Sequence, residues 1–256
     1  MNIVTAGSTP LYGDGRSLPR RRPFRVVLSV LLSVLAMLLM GCDRQSAKES
    51  QEPQETVPPA AQATVAPKGI IVALGDSLTA GYGIDPDESY PAQLGRRLQA
   101  DGHHYQVVNS GVSGETTSGT LSRLAWVLSL GPDIVILEIG ANDGLRGIDP
   151  AVPAANLRQI VEKLRQDNII VVFTGMKMVW NLGAGYTRAF NAIYPRIASE
   201  EQLIFMPFFL QDVATVPTLN IEDGLHPNAA GYRQVVENLY PYVLEAIRRF
   251  EERNGR

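Results

Sequence analysis

The sequence predicts a three-layer α/β/α sandwich built on a five-stranded parallel sheet, and two observations carry that expectation. Five short, mostly apolar runs are each bounded by turn or polar residues: Ile70 to Leu74, Tyr105 to Asn109, Ile134 to Ile139, Ile169 to Phe173 and Leu203 to Met206. They are near-continuous rather than alternating, the pattern of strands covered on both faces. Between them stand segments with apolar residues three and four apart, the spacing of one helix face: Pro91 to Ala100, Leu121 to Leu128, Ala155 to Gln166 and Thr187 to Ala198. Pro195 is expected to kink the last of these. A final helix is predicted from about Ala229, kinked at Pro241 and ending in the solvated run Arg248 to Arg253. Strand and helix in alternation imply right-handed crossovers, with helices on both faces of one sheet.

The segment before the first strand reads as an address. Arg16, Arg20, Arg21, Arg22 and Arg25 precede Val26 to Met40, a run interrupted only by Ser29 and Ser33. As a helix it would reach about 22 Å at 1.5 Å per residue, short of the roughly 30 Å hydrocarbon core of a bilayer. A signal-peptide core fits that length better than a permanent span. The run closes on Leu39-Met40-Gly41-Cys42, which resembles a bacterial lipobox, so residues 1–41 are expected to be a leader and Cys42 the lipidated first residue. More than one acyl chain on Cys42 would hold the protein at a membrane, because a single chain gives only marginal binding. An uncleaved anchor with an incidental Cys42 is the alternative. Arg21-Arg22 has a twin-arginine look, but three consecutive arginines also make an ordinary positive leader.

Residues 42–67 are rich in Gln, Glu, Pro, Ser and Thr, with Val57 and Val65 as their only large aliphatics. Such a stretch buries too little apolar surface to offset its ordering entropy, so it reads as a tether. Charge divides at the same place. Of the 23 basic and 26 acidic side chains, residues 1–67 hold 7 and 5, which leaves residues 68–256 acidic by five. Residues 68–256 are enough for one domain with its own core. The acidic balance gives no electrostatic footprint for nucleic acid. Cys42 is the one cysteine, which excludes an intramolecular disulfide, a cysteine-rich zinc site and a Cys-x-x-Cys redox pair.

In parallel α/β sheets ligands sit beyond the carboxyl ends of the strands, so the residues after each apolar run carry the functional reading. They are Gly75-Asp76-Ser77-Leu78 after the first strand, Asn109 to Thr116 (NSGVSGET) after the second and Gly140 to Gly144 (GANDG) after the third. Asp223-Gly224-Leu225-His226-Pro227 precedes the last helix. Each alone has an ordinary explanation, since Asp-Ser caps helices and Gly and Asn form turns. Together they make a chemical set. A serine hydroxyl is a weak nucleophile until a base takes its proton, and His226 serves as that base if Asp223, three residues upstream, holds its other ring nitrogen. Charge developing on an attacked carbonyl oxygen would meet the N–H of Ser77, the N–H of Gly111 and the side-chain amide of Asn142.

These four blocks resemble those of the SGNH hydrolases, also called GDSL esterases/lipases, with Ser77, Gly111, Asn142 and the Asp223/His226 pair at the matching positions. The resemblance extends over residues 68–256. Stretches such as IVALGDSLTAGYG, GVSGETTSGTLSRL, GANDGLRG and GLHPNAAGY resemble the bacterial branch of multifunctional thioesterase/protease/lysophospholipases and arylesterases. The resemblance implies an SGNH, flavodoxin-like sandwich and a serine esterase working through an acyl-enzyme, with no metal and no organic cofactor. Its expected partners are an ester, thioester or lysophospholipid substrate and the membrane that holds the anchor. A carbohydrate O-acetylesterase is the alternative enzyme, and a noncatalytic envelope lipoprotein the alternative of another class.

Other residues are assigned more local parts. Met178, Val179 and Trp180, beyond the fourth strand, are candidates for the wall that meets an acyl chain. Asp76 and Asp143 are expected to fix loops by hydrogen bonding. His103 and His104 are adjacent and diverge in a solvated loop, so they are not read as metal ligands. Gly81-Tyr82-Gly83 lacks the third glycine of a phosphate-cradling Gly-x-Gly-x-x-Gly, since Pro86 stands there.

Overall fold

A computed structural model of the chain describes residues 66–178 and 182–255. The expected leader, Cys42 and nearly all of the tether lie outside the described residues, as do Val179 and Trp180. The strands are β1 (Ile70–Gly75), β2 (Gln106–Gly111), β3 (Ile134–Glu138), β4 (Ile170–Thr174) and β5 (Ile204–Met206). All pair in parallel, in the order β2-β1-β3-β4-β5. Each apolar run of the sequence falls on one of them, with ends displaced by a residue or two. β1 is buried from Ile71 onward and β3 along its whole length, as strands covered on both faces require. β2 differs: as an edge strand it leaves Gln106 and Asn109 exposed.

The helices are α1 (Ser77–Ala80), α2 (Tyr90–Ala100), α3 (Thr117–Leu128), α4 (Ala141–Leu145), α5 (Ala151–Gln166), α6 (Ala184–Asn191), α7 (Ile193–Glu200) and α8 (Ala229–Arg253). α2 packs with α8, while α3, α5 and α7 pack as a second group against the sheet. Tyr90 of α2 meets Phe209 and Tyr232 of α8, with ring centroids 5.2 and 6.4 Å apart. In the second group Tyr194 of α7 packs on Phe173 of β4 at 5.5 Å. The segment Thr187 to Ala198 is two helices rather than one kinked helix, and the break falls at Ala192. Pro195 lies in the first turn of α7, where its missing N–H has no carbonyl to reach, so it starts a helix instead of bending one. α8 runs through Pro241.

A buried ion pair ties the carboxyl edge of the sheet together. Arg123 of α3 donates from Nε and Nη2 to both carboxylate oxygens of Glu115 at 2.7 and 2.6 Å. It also donates from Nη1 to Ser110 Oγ and from Nη2 to the Ser110 carbonyl, each at 2.8 Å. The two side chains are only 18% and 7% exposed. Removing one partner of such a pair leaves an uncompensated buried charge. Arg123→Met is therefore expected to lower unfolding stability by about 3 kcal/mol, read from urea melts; a variant within error of the native chain would show that Glu115 does not depend on the pair.

Candidate active site

The first loop of the site is fixed by the end of β1. A Cβ on Gly75 would stand 2.3 Å from the Glu138 carbonyl oxygen, so only glycine lets β1 turn there so close to β3. Asp76 then caps α1, its Oδ1 accepting from the Leu78 N–H at 3.0 Å, and Ser77 is the first helical residue. Beyond β3, Gly140 has φ +117° and no room for a Cβ, which would meet the Tyr194 hydroxyl at 2.1 Å. That turn begins α4 and places Asn142 so that its Nδ2 donates to Asp76 Oδ2 at 3.2 Å. Asp143 accepts from the N–H and Oγ1 of Thr117 at 2.9 and 2.6 Å, which locks the loop to the start of α3. Asp76 and Asp143 thus make the loop-fixing hydrogen bonds expected of them.

The last loop arrives from the other end of the chain. Asn228 caps α8 by accepting from the N–H groups of Ala230 and Gly231, and its own N–H donates to the Leu219 carbonyl at 2.9 Å. The Ile221 N–H donates to the His226 carbonyl at 2.9 Å, closing a narrow loop over residues 221–226. Inside it Asp223 Oδ1 accepts from the N–H groups of Leu225 and His226 at 2.9 and 3.0 Å. Its Oδ2 lies 2.6 Å from His226 Nδ1. Across 149 positions of sequence, His226 Nε2 meets Ser77 Oγ at 2.8 Å. Ser77, Asp223 and His226 are therefore one hydrogen-bonded chain, and the Tyr82 ring lies 4.8 Å from the imidazole.

The carboxyls differ in electrostatic character. Burial pushes Asp76 up to about 6, against the pull of the Leu78 N–H, the His226 ring and the Asn142 amide. For Asp223, partial burial pushes upward, but hydrogen bonds from the two N–H groups and the His226 ring prevail and hold it below the usual carboxylate range. Asp223 is thus held in its charged form beside the His226 ring.

A cavity of about 540 Å³ opens beside Ser77 and His226. Its polar edge includes Ser113, Gly114 and Asn142, and its apolar wall includes Leu145, Met176, Met178, Phe208 and Leu210. Met178, one of the three candidates for an acyl-contacting wall, lines this cavity; Val179 and Trp180 lie outside the described residues. Gly111 is displaced from the position assigned to it. It does not line the cavity, its N–H is already given to Asn109 Oδ1 at 2.9 Å, and a Cβ on it would strike the Ala80 nitrogen at 2.1 Å. Its glycine identity serves the packing of β2 against α1. Gly114 occupies the cavity edge instead, at φ +80° in a turn closed by the Glu115 N–H on the Val112 carbonyl. Among the described residues nothing accepts a hydrogen bond from its N–H. The signal that separates the two is position: Gly111 still belongs to the strand ladder, whereas Gly114 stands in the turn beyond it.

Comparison with known proteins agrees with this architecture. The GDSL-like Lipase/Acylhydrolase family matches residues 73–234. Esterase TesA of Pseudomonas aeruginosa is 37% identical over 172 residues, covering 67% of this chain and 86% of that protein. Thioesterase 1/protease 1/lysophospholipase L1 of Escherichia coli K12 is 37% identical over 159 residues, 62% of this chain and 75% of its own. A crystal structure of TesA superposes with a TM-score of 0.66 at 35% identity, covering 69% of this chain and 99% of the other. Matched by the family over residues 73–234 and sharing more than a third of its aligned residues with these esterases, the chain is a carboxylic ester hydrolase and belongs to the GDSL-like lipase/acylhydrolase family.

Proposed function

We propose that the enzyme cleaves acyl esters in two steps through a covalent acyl-Ser77 intermediate, and one observation carries this reading: the unbroken Ser77–His226–Asp223 hydrogen-bonded chain at the mouth of an apolar cavity. Ser77 Oγ attacks the carbonyl carbon as His226 Nε2 takes its proton. Asp223, held by two backbone donors, keeps Nδ1 protonated and stabilises the imidazolium. The tetrahedral oxyanion is met by the Ser77 N–H, the Gly114 N–H and the free hydrogen of Asn142 Nδ2, whose other hydrogen is spent on Asp76. His226 returns the proton to the leaving alcohol or thiol, and water then repeats the sequence against the acyl-enzyme.

The apolar wall of Met176, Met178, Phe208 and Leu210 supports an acyl chain rather than a sugar as the group held beside Ser77. Lipid esters are the substrate class that suits both this wall and an enzyme tethered at a membrane. The proposed organisation is a leader at 1–41, a lipidated Cys42 with a tether to residue 67, and the hydrolase domain from 68 to 256. It places the enzyme in the bacterial envelope, on the exported side of a membrane.

Three experiments test these readings. Ser77→Ala should lower turnover by about 10⁶ and abolish labelling by a fluorophosphonate, as loss of the nucleophile in a unit of this kind does; near-normal esterase activity in that variant refutes the mechanism. Palmitate labelling in the native host should disappear in Cys42→Ser, and persistence of the label would remove the anchor. The third concerns Asp76. Its native carboxyl titrates at about 6, above the 3.8 of a free one, so the unfolded chain gives up its proton first. The cost of the buried charge then builds between about pH 4 and 6 and remains above that, up to about 3 kcal/mol. Asp76→Asn should accordingly melt higher than the native chain at pH 7.5, lose that advantage toward pH 4, and give up about 10- to 10²-fold in kcat as the Asn142 amide loosens. A lower melting temperature at every pH would contradict this account.

A further inference from the structure

Glu138 ends β3, the middle strand of the sheet, and is fully buried, yet the chemistry above leaves it unused. Its Oε2 accepts a 2.8 Å hydrogen bond from Oγ1 of Thr79, which lies two residues beyond Ser77 and is equally buried. Thr79 Oγ1 in turn lies 3.3 Å from the Tyr90 hydroxyl. The carboxyl is wedged beneath the Ser77 turn, since a Cβ on Gly75 would stand 2.6 Å from Glu138 Oε2 and 2.1 Å from Thr79 Oγ1. Among the described residues Oε1 has no hydrogen-bond partner at all.

The titratable groups that face it are Asp76 from the same turn, Tyr90 from α2, Tyr194 from α7 and Tyr232 from α8. No cation is among them. Two carboxylates in one dry site cannot both ionise without a positive partner, so the pair holds one charge and one proton. Asp76 is the better place for the charge: it accepts from the Leu78 N–H and the Asn142 amide and faces the His226 ring. Glu138 accepts the neutral Thr79 hydroxyl, and the pull of that group and of the backbone N–H groups of Asp76 and Thr79 is outweighed by its burial. Burial first, and the neighbouring Asp76 charge second, push its carboxyl well above the usual carboxylate range.

We propose that Glu138 is a positioning residue that stays a neutral carboxylic acid throughout turnover, bracing Thr79 beneath Ser77 and leaving to Asp76 the negative charge that orients the Asn142 amide. Its influence on the reaction passes through Thr79 and Asp76. An ionised Glu138 would compete with Asp76 for that charge and release Asn142.

Infrared spectroscopy of the native enzyme tests the protonation state directly. A protonated-carboxyl stretch is expected at pH 7 to 8, unchanged in Ser77→Ala and missing from Glu138→Gln. This measurement is independent of the triad reading, so failure of one does not mimic failure of the other. In kinetics, Glu138→Gln copies a neutral acid and should keep kcat within about threefold, the change one neutral hydrogen-bonding group makes for another. Glu138→Leu keeps the volume but drops the bond to Thr79, and should lose about 10²-fold in kcat with KM little altered, as a misplaced reacting group does. Absence of the band from the native enzyme overturns the proposal whether or not the variants fold. So does a Glu138→Gln enzyme as impaired as Glu138→Leu, because an isosteric neutral group would then have failed to substitute.

Discussion

The 2.8 Å contact between Ser77 Oγ and His226 Nε2 is the constraint on which the rest of the molecule depends. The two residues belong to the first and last loops of the domain, so neither local propensity nor a short-range turn brings them together. What does is the rigidity of each end. Ser77 is fixed by the steric closure of β1 on β3 at Gly75, and His226 by the Asn228 cap and the Ile221–His226 bond that pin its loop to the start of α8. A parallel sheet with its strand ends on one edge supplies the common floor. Hydrogen bonds of this kind weaken steeply with length and misalignment, so the packing beneath the loops is part of the chemistry.

That packing carries an electrostatic burden. The carboxyl edge of the sheet gathers Asp76 and Glu138 in full burial and Glu115 nearly so, at the ends of or just beyond β1, β3 and β2. Glu115 is neutralised by Arg123, whose guanidinium also occupies the Ser110 carbonyl. Asp76 is met by a helix N-terminal N–H and an amide, and Glu138 by the Thr79 hydroxyl. Three acids in neighbouring positions are thus handled in three ways, by ion pairing, by hydrogen bonding and by retention of a proton.

Much of this was legible in the sequence. The five strands stand out because burial on both faces forces continuous apolar runs, and only edge strand β2 mixes exposed polar residues into its run. Ser77 and Asn142 stand out in the sequence as a candidate nucleophile and a candidate donor beyond strand ends, and Asp223 and His226 as a candidate acid and base before the last helix. Gly111 and Gly114 could not be told apart, because both are glycines near the same strand end and only the register of the β1–β2 ladder shows that Gly111 still lies within it. The division between α6 and α7 was hidden because Pro195 invites a kink at its own position, whereas a first-turn proline tolerates helix geometry. Glu138 was invisible for a plain reason: a carboxyl in an apolar run reads as a strand end until its neighbours are known.

Asp223 and His226 lie three residues apart in one loop, and the carboxylate is bound to the backbone of the residues that follow it. Asp223 and His226 therefore form a prefabricated cassette whose internal geometry owes nothing to the sheet. Insertions or deletions in the connections on either side would shift the pair as a body, preserving its internal hydrogen bonds while altering its distance from Ser77. Ser77, by contrast, is welded to the floor. Evolutionary retuning of such a site would fall on the approach of the cassette, leaving the seat of the hydroxyl untouched.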